Sequence, residues 1–510
     1  MNFLSILILI FSPLIMGLAI LSPIFPTNKI LIRRTAKTFA IIHFIYSLLF
    51  LAFYNSTNLG WSYQKELTFF GASWLKSLGI SATFAMDGIS LAFILLTSFI
   101  TMLVIILSKT MIRTKHRLFY PLVLSLQTII LGTFCAKDLF LFFLFWQAEL
   151  IVSYFLISQW EEKKATPSCS KYLIYNTFGG VILLLGLLVL YFYNFAQNGI
   201  LTGDMESINI PDGIFAFRIN SLIFWWIFIG LATKFAIFPL HSGMLNAQVN
   251  ASTPVSILLN SLILNMGGYG IIRFNVEIFP DLFNFWNEII IIIGIINILY
   301  GAVLALYQTD IKKMVAYLNL TQCGLILIGL CTLTEIGFEG ALFHIISKSI
   351  IISGLFALIG SIYLRTKTRE ISQLGGLRQV LPICYNLGIL IFLGSIFSPF
   401  TCGFVSEFMI LNGIILSEYE PNSLLFFAII ICLLGLLINI ACILKLFNKT
   451  FYGEIMAKFK YLQPKRAITK SEIIVLTLIG LSIIFLGLFP NSVLEIFDST
   501  SDVIIDFLKV

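Results

Sequence analysis

Two lysines (Lys234 and Lys348), two glutamates (Glu149 and Glu407) and two histidines (His241 and His344) lie within or at the edge of long apolar runs. A charge at the centre of a bilayer costs at least about 2.5 kcal/mol on insertion scales, so it is paired, set against water or used to carry a proton. Lys234 occupies the stretch from Leu222 to Leu240, five residues before Pro239. A proline inside a helix removes a backbone hydrogen bond and clashes with the preceding turn, so the span should break near Pro239 and His241. Broken helices at membrane depth are tolerated only inside protein or along a water-filled cavity. A buried lysine beside such a break suits a group that exchanges its proton.

The same arrangement recurs. The run Ser395-Ile-Phe-Ser-Pro-Phe-Thr-Cys-Gly403 places Pro399 and Gly403 inside a second apolar stretch, with Glu407 one turn later. Glu149 lies eleven residues beyond Asp138, near the middle of a helix rising about 1.5 Å per residue. Desolvation disfavours its charge and a nearby cation favours it, which together suit a proton site; the plainer reading is a carboxylate paired for structure. His344 and Lys348, spaced i, i+4, share a helix face and could pass a proton, or the histidine is a satisfied structural donor. Asn265 and Gln322 sit deep in apolar runs and would extend a hydrogen-bonded chain, although neither ionises near neutral pH.

The elements that position these residues are membrane spans. The 510 residues are 59% hydrophobic and only 11% charged, with a mean hydropathy of +0.98, far from soluble proteins. Spans of about 20 apolar residues fit a bilayer core about 30 Å thick, and they recur along the whole chain. Fourteen runs start near Leu4, Thr38, Gly88, Phe119, Leu139, Tyr172, Leu222, Pro254, Phe285, Ile311, Ile336, Tyr385, Leu424 and Ser471. The chain reads as an all-α, polytopic protein with one integral membrane domain. The first run has no basic leader, its first following cation being Lys29, and reads as a transmembrane helix and not a cleaved signal.

Sorting Lys and Arg between alternate sides gives the topology. The odd-numbered connections carry 24 of the 32, including Lys29 to Lys37, Lys109 to Arg117, Lys163, Lys164, Lys171, Lys312, Lys313, Arg365 to Arg378, and Lys445 to Lys470. The other side carries Lys65, Lys76, Lys137, Arg218, Arg273 and Lys509. The positive-inside rule puts the basic set in the cytoplasm or its equivalent and both termini on the opposite side. The net charge of +7 thus reflects orientation, and no basic cluster has the aromatic interleaving of a nucleic-acid surface, so nucleic acid is excluded as a partner. Eight cysteines without a C-x-x-C pair read as packing residues, and no metal-spaced cluster, Walker A or dinucleotide fingerprint is present, so no cofactor or redox site is expected in this chain.

These residues resemble the antiporter-like membrane subunits of respiratory complex I and of multisubunit cation/proton antiporters, over nearly the whole chain. Met86-Asp-Gly-Ile-Ser90 resembles the family's D-G-[IL]-S start of the third span, and Thr233-Lys-Phe-Ala-Ile-Phe-Pro-Leu-His241 its V-K-x-P-x-x-P-L-H break. Met266-Gly-Gly-Tyr-Gly-Ile-Ile-Arg-Phe274 and Gln308-Thr-Asp-Ile-Lys-Lys-Met-Val-Ala-Tyr317 are similar to two further motifs. Thr368-Arg-Glu-Ile-Ser-Gln-Leu-Gly-Gly376 and Gly403-Phe-Val-Ser-Glu-Phe408 point to the branch called chain 4, or subunit M in bacteria.

The resemblance implies about fourteen helices with two inverted five-helix repeats, residues 88–250 and 254–417, each holding a broken helix, followed by C-terminal helices and a tail over 424–510. It implies proton translocation through half-channels joined by a central polar axis, driven by quinone reduction elsewhere in an NADH:quinone oxidoreductase with other membrane subunits as partners. Carried over by position, Lys234 matches the central lysine, Glu407 the terminal acid and His241 the histidine after the break. Three positions depart. Gln147 stands where the family has glutamate after the tryptophan, with Glu149 as a partial replacement, Asn265 where it has lysine, and Gln322 where it has histidine. Asn246, Gln248 and Asn250 replace the polar run after the break. Alternatives are a subunit of a cation/proton antiporter, moving protons against sodium, and a non-pumping scaffold. A bacterial inner membrane, an organellar inner membrane and a thylakoid all fit. The tail from Val493, with Glu495, Asp498, Asp502 and Asp506 among apolar residues, reads as an amphipathic surface segment.

Overall fold

Several helices begin where the sequence supplies a side-chain cap. The side chain of Asp87 accepts from Ser90 N at 2.9 Å, Asp138 from Phe140 N at 2.9 Å, and Asp310 from Lys312 N at 2.9 Å. Thr469 and Glu472 form a reciprocal capping box. The computed structural model describes residues 4–54, 62–66, 77–161, 168–208, 214–417, 424–456, 459 and 468–509. Lys76, Lys163, Lys164, Lys458, Lys460, Lys465, Arg466 and Val510 lie outside the described residues.

The principal helices are α1 Leu4–Leu21, α2 Lys29–Phe53, α3 Gly88–Met111, α4 His116–Cys135, α5 Leu139–Gln159, α6 Ser168–Asn198, α7 Ile214–Phe235 and α8 Ser242–Asn250. They continue with α9 Thr253–Val276, α10 Asn287–Tyr307, α11 Ile311–Leu330, α12 Glu335–Thr366, α13 Pro382–Ser395 and α14 Cys402–Leu416. The chain ends with α15 Leu424–Phe451, α16 Lys470–Leu488 and α17 Asn491–Lys509. Among the described residues, twelve helices are long and apolar enough to cross a membrane, and Ile6–Leu21, α13 and α14 are shorter apolar helices. These helices coincide with the fourteen apolar runs once α7 and α8, and α13 and α14, are each taken as one broken span. A two-stranded antiparallel hairpin, β1 Ser62–Glu66 and β2 Thr83–Met86, is the one sheet among the described residues.

Helices α9 and α12 are surrounded by protein along their whole apolar windows, whereas α2, α6 and α15 present large apolar side chains such as Ile42, Phe178 and Leu437 outward. Outward apolar faces of this kind suit the hydrocarbon of a bilayer. The first group is where polar residues are kept from hydrocarbon, because an unsatisfied polar group there costs several kcal/mol, about the desolvation of the group itself. In α9 the hydrogen-bond pattern widens to i→i+5 over Leu259–Ile263 and Ile271–Val276, on either side of Asn265.

Both breaks are built from backbone that side chains disfavour. α7 ends at Phe235, followed by Ala236 at φ 59°, and α13 ends at Ser395, followed by Phe397 at φ 55° and Phe400 at φ 67°. Positive φ at such residues stores strain and persists where the surroundings impose it. In the first break Phe238 N donates to Asn297 Oδ1 at 2.8 Å, so that amide is satisfied by α10. Gly403 lies one residue inside α14 and does not form the second break itself, contrary to the sequence reading. Its role is close approach, since a Cβ there would sit 2.2 Å from the Gly394 carbonyl oxygen.

The basic connections gather at one end of the bundle. Arg33 donates to the Ile112 carbonyl at 3.1 Å, Trp160 to Thr114 at 3.3 Å, Arg369 to Val249 at 2.8 Å and Lys445 to Leu306 at 3.0 Å, and Arg365 pairs with Glu472. At the other end Lys137 pairs with Glu206 at 2.5 Å, and Arg273 pairs with Asp87 and, at 2.8 Å, with Glu277. The α17 helix packs there against α3 and α12, burying Ile496, Phe497, Ile504, Ile505 and Leu508, so the acidic tail is an amphipathic helix on this end of the protein.

Candidate functional site

The side chain of Lys234 leaves the last turn of α7 and is 1% exposed. Its Nζ lies 2.7 Å from Glu149 Oε2 of α5, donates to the Trp146 carbonyl at 2.7 Å and stands 4.0 Å over the Trp146 ring. Glu149 is fully buried, and its Oε1 accepts from the Tyr172 hydroxyl of α6 at 2.9 Å. The lysine charge therefore has a carboxylate and a carbonyl, and the carboxylate has two donors, which is what a buried pair needs to offset desolvation.

The sequence reading carries Gln147 to the family's glutamate position on the polar axis, with Glu149 as a partial replacement, and in the structure it is Glu149 that pairs with Lys234. Gln147 is half-buried against α6, where a Cβ on Gly180 would sit 2.5 Å from its Oε1, and that oxygen has no hydrogen-bond partner among the described residues. Two residues along a helix turn a side chain by about 200°, so positions 147 and 149 serve different faces of α5. Glu149, not an acid at 147, is the partner of Lys234.

Across the Phe235 ring lies the second cluster. Lys348 of α12 has its Nζ 5.0 Å from the centre of that ring and donates to Cys323 Sγ of α11 at 3.2 Å. Cys323 thus has a polar contact beyond the packing role expected of the cysteines; all eight are free. His344, one turn before Lys348, is held by Ser406 Oγ at 2.9 Å and Gln322 Oε1 at 2.7 Å. Gln322 Nε2 in turn donates to Glu407 Oε1 at 3.2 Å, so Ser406, His344, Gln322 and Glu407 form one hydrogen-bonded row joining α11, α12 and α14. Asn265 donates to Ser349 Oγ and to the Ser261 carbonyl, each at 2.7 Å, which places it on the α9 face beside the residue next to Lys348. From the basic end a polar trail runs inward, with Ser256 donating to the Gln248 carbonyl at 2.7 Å, and Asn319 Nδ2 to Asn260 Oδ1 at 2.8 Å.

His241 is the candidate the structure does not draw into this row. It precedes α8, with its ring 5.0 Å from Tyr300 and 5.9 Å from Phe238, and its Nδ1 has no hydrogen-bond partner among the described residues. Pro239 and Pro399 lie in the two breaks. Tyr172, Cys323, Ser406 and Asn439 were missed by sequence reasoning. Only Asn439 carried a signal, as a lone amide in the apolar run from Leu424 to Leu444. Among the described residues no group of three or more His, Cys, Asp and Glu side chains is placed to hold a metal ion.

Buried, ionisable and broken-helix groups on two successive sets of spans define a membrane protein built to hold charge at bilayer depth. Residues 136–435 match the model of the NADH:quinone oxidoreductase/Mrp antiporter transmembrane family, and the chain belongs to that family. It is 34% identical to NADH-quinone oxidoreductase subunit M of Rickettsia prowazekii over 506 residues, 98% of each chain. It is 30% identical to NAD(P)H-quinone oxidoreductase chain 4 of Acaryochloris marina, covering 94% of this chain and 88% of that one. In fold it is similar to a chain of respiratory complex I from Thermus thermophilus, with TM-score 0.83 and 21% identity over 99% of each chain. It is also similar to a chain of the Mrp complex from Dietzia sp., with TM-score 0.85 and 18% identity over 99% of this chain and 98% of that one.

Proposed function

We propose that this chain is a proton-translocating membrane subunit of an NADH:quinone oxidoreductase, of the subunit M or chain 4 type, working beside other membrane subunits while electron transfer takes place elsewhere in the complex. The observation that carries the reading is the succession of buried ionisable groups from the Glu149–Lys234 pair, past Phe235, to Lys348, His344 and Glu407. A proton held on Lys234 is stabilised by Glu149, and one released toward Lys348 leaves that carboxylate to be neutralised again. The charge state of each group thereby biases its neighbour in a low-dielectric interior.

Residues 88–250 and 254–417 serve as two repeats of the same device, since each runs through four spans and ends on a broken one. The Gln248, Ser256, Asn260 and Asn319 trail supplies access from the basic end. That end faces the cytoplasm or its equivalent, and both termini lie on the other side, in a bacterial or organellar energy-converting membrane.

The test is NADH-driven proton translocation in vesicles. Lys234→Ala or Glu407→Ala, with the complex assembled at normal levels, should reduce it, and unchanged translocation would remove the proposal. A second reading, a cation/proton antiporter subunit, is favoured by the fold likeness to the Mrp complex chain. It predicts collapse of a proton gradient on adding sodium to vesicles without NADH. A scaffold that does not pump would leave both assays unaffected by Lys234→Ala.

A further inference from the structure

Within the second cluster lies a small cavity, lined among others by Gln322, His344, Lys348, Ser395, Glu407 and Asn439. The centre of a water molecule can range over about 20 Å³ of it, which is room for one water. Apolar cavities of this kind stay dry, whereas a water needs two to four polar partners, and here they are present. Lys348 is 2% exposed, has no carboxylate within 4.0 Å among the described residues, and of its three N–H donors one reaches Cys323 Sγ. Glu407 Oε1 accepts from Gln322, leaving its second oxygen for another donor. Asn439 of α15, only 4% exposed, has an Oδ1 with no hydrogen-bond partner among the described residues.

The row of direct hydrogen bonds does not link Lys348 to Glu407. It runs from Ser406 through His344 and Gln322, and the Gln322 amide cannot take up and release a proton. We propose that the cavity binds one water that accepts from the Lys348 ammonium and donates to the Glu407 carboxylate and to Asn439 Oδ1. Asn439, on a helix outside both repeats, is then a positioning residue for proton transfer. As the ammonium gives its proton to the water, the water gives one of its own to the carboxylate. Lys348 and Glu407 both become neutral and the water is regenerated. This inference rests on the reading of the cluster as a proton path.

The test uses the assembled complex in membrane vesicles, with Lys234→Ala as the reference. Asn439→Leu, branched at Cγ like asparagine but without an acceptor, should lose most of the proton translocation that Lys234→Ala removes. Asn439→Ser, which keeps an acceptor oxygen, should retain it. Electron cryomicroscopy of the unaltered complex should show a water peak between Lys348, Glu407 and Asn439, a readout that stands even if Asn439→Leu fails to assemble. Normal translocation in Asn439→Leu beside a defective Lys234→Ala, or no density at the site, overturns the inference and leaves the proton path standing. Normal translocation in both variants removes the path and the inference with it.

Discussion

Glu149→Gln breaks the most deeply buried ion pair among the described residues while changing almost no volume. At 2.7 Å and an effective dielectric near 20, the attraction between Lys234 and Glu149 is about 6 kcal/mol before desolvation is counted. Each ion loses several kcal/mol on leaving water, so the pair is near balance, but removing one partner strands the other and costs about 3–5 kcal/mol. Lys234 keeps the Trp146 carbonyl at 2.7 Å and the ring at 4.0 Å, and the new side-chain amide at position 149 can still accept from Tyr172, which places the expected loss near the lower bound, about 3 kcal/mol. Glu149→Gln combined with Lys234→Met removes both charges and should recover to within about 1 kcal/mol of the parent. Thermal unfolding of the purified complex, compared across the two single variants and the double, reads the coupling. Translocation should stay lost in the double, which separates stability from function. Adding Gln147→Glu to Glu149→Gln should not restore stability, because position 147 packs against Gly180 on a different face of α5 from the one that meets Lys234. Additive losses in the double variant, or rescue by Gln147→Glu, would refute the pairing.

Other outcomes follow from the same geometry. Lys234→Ala and Glu407→Ala should lower translocation, and Asn439→Leu should do so where Asn439→Ser does not, as measured in vesicles. Gly403→Ala should cost about 1–3 kcal/mol and lower the melting temperature of the complex, because the new methyl meets the Gly394 carbonyl at 2.2 Å, and backbone cannot step aside. Gly388→Ala, whose methyl would meet the flexible end of the Leu358 side chain at 3.1 Å and the Phe392 ring at an ordinary 3.7 Å, should be tolerated, and equal melting of the two variants would contradict the account. Arg273→Met should strand Asp87, which is 1% exposed, at a cost of about 3–5 kcal/mol and with less assembled complex. Asp87→Asn added to it should recover assembly, and assembly as poor as in the single variant would argue against a charge effect.

The sequence alone carried the helices far. Hydropathy adds up residue by residue, so the runs starting near Leu4 through Ser471 correspond to the observed helices, and the charges that sort by the positive-inside rule meet at one end of the bundle. The cost of a charge in hydrocarbon is likewise a property of one residue in its run, which made Lys234, Lys348, Glu149 and Glu407 visible at once. Pro239 and Pro399 announced the breaks through their missing donor and fixed ring. Gly403 was harder to read, because a glycine near a break can bend the chain or admit a neighbour, and only the crossing with Gly394 tells which.

Which acid holds which lysine was decided by the tertiary structure. Gln147 and Glu149 are two residues apart, and their sequence does not say which face of α5 meets α7; Gln147 packs against Gly180 of α6, and Glu149 stands opposite Lys234. Asn439 is about 90 residues from Lys348 and sits on a helix whose outer face exposes large apolar side chains, yet it shares a cavity with that lysine and Glu407. Hydropathy and insertion cost are sums over single residues, so the chain states them directly. Partnership depends on how helices far apart in sequence are rotated and pressed together, and that is fixed only when all of them pack.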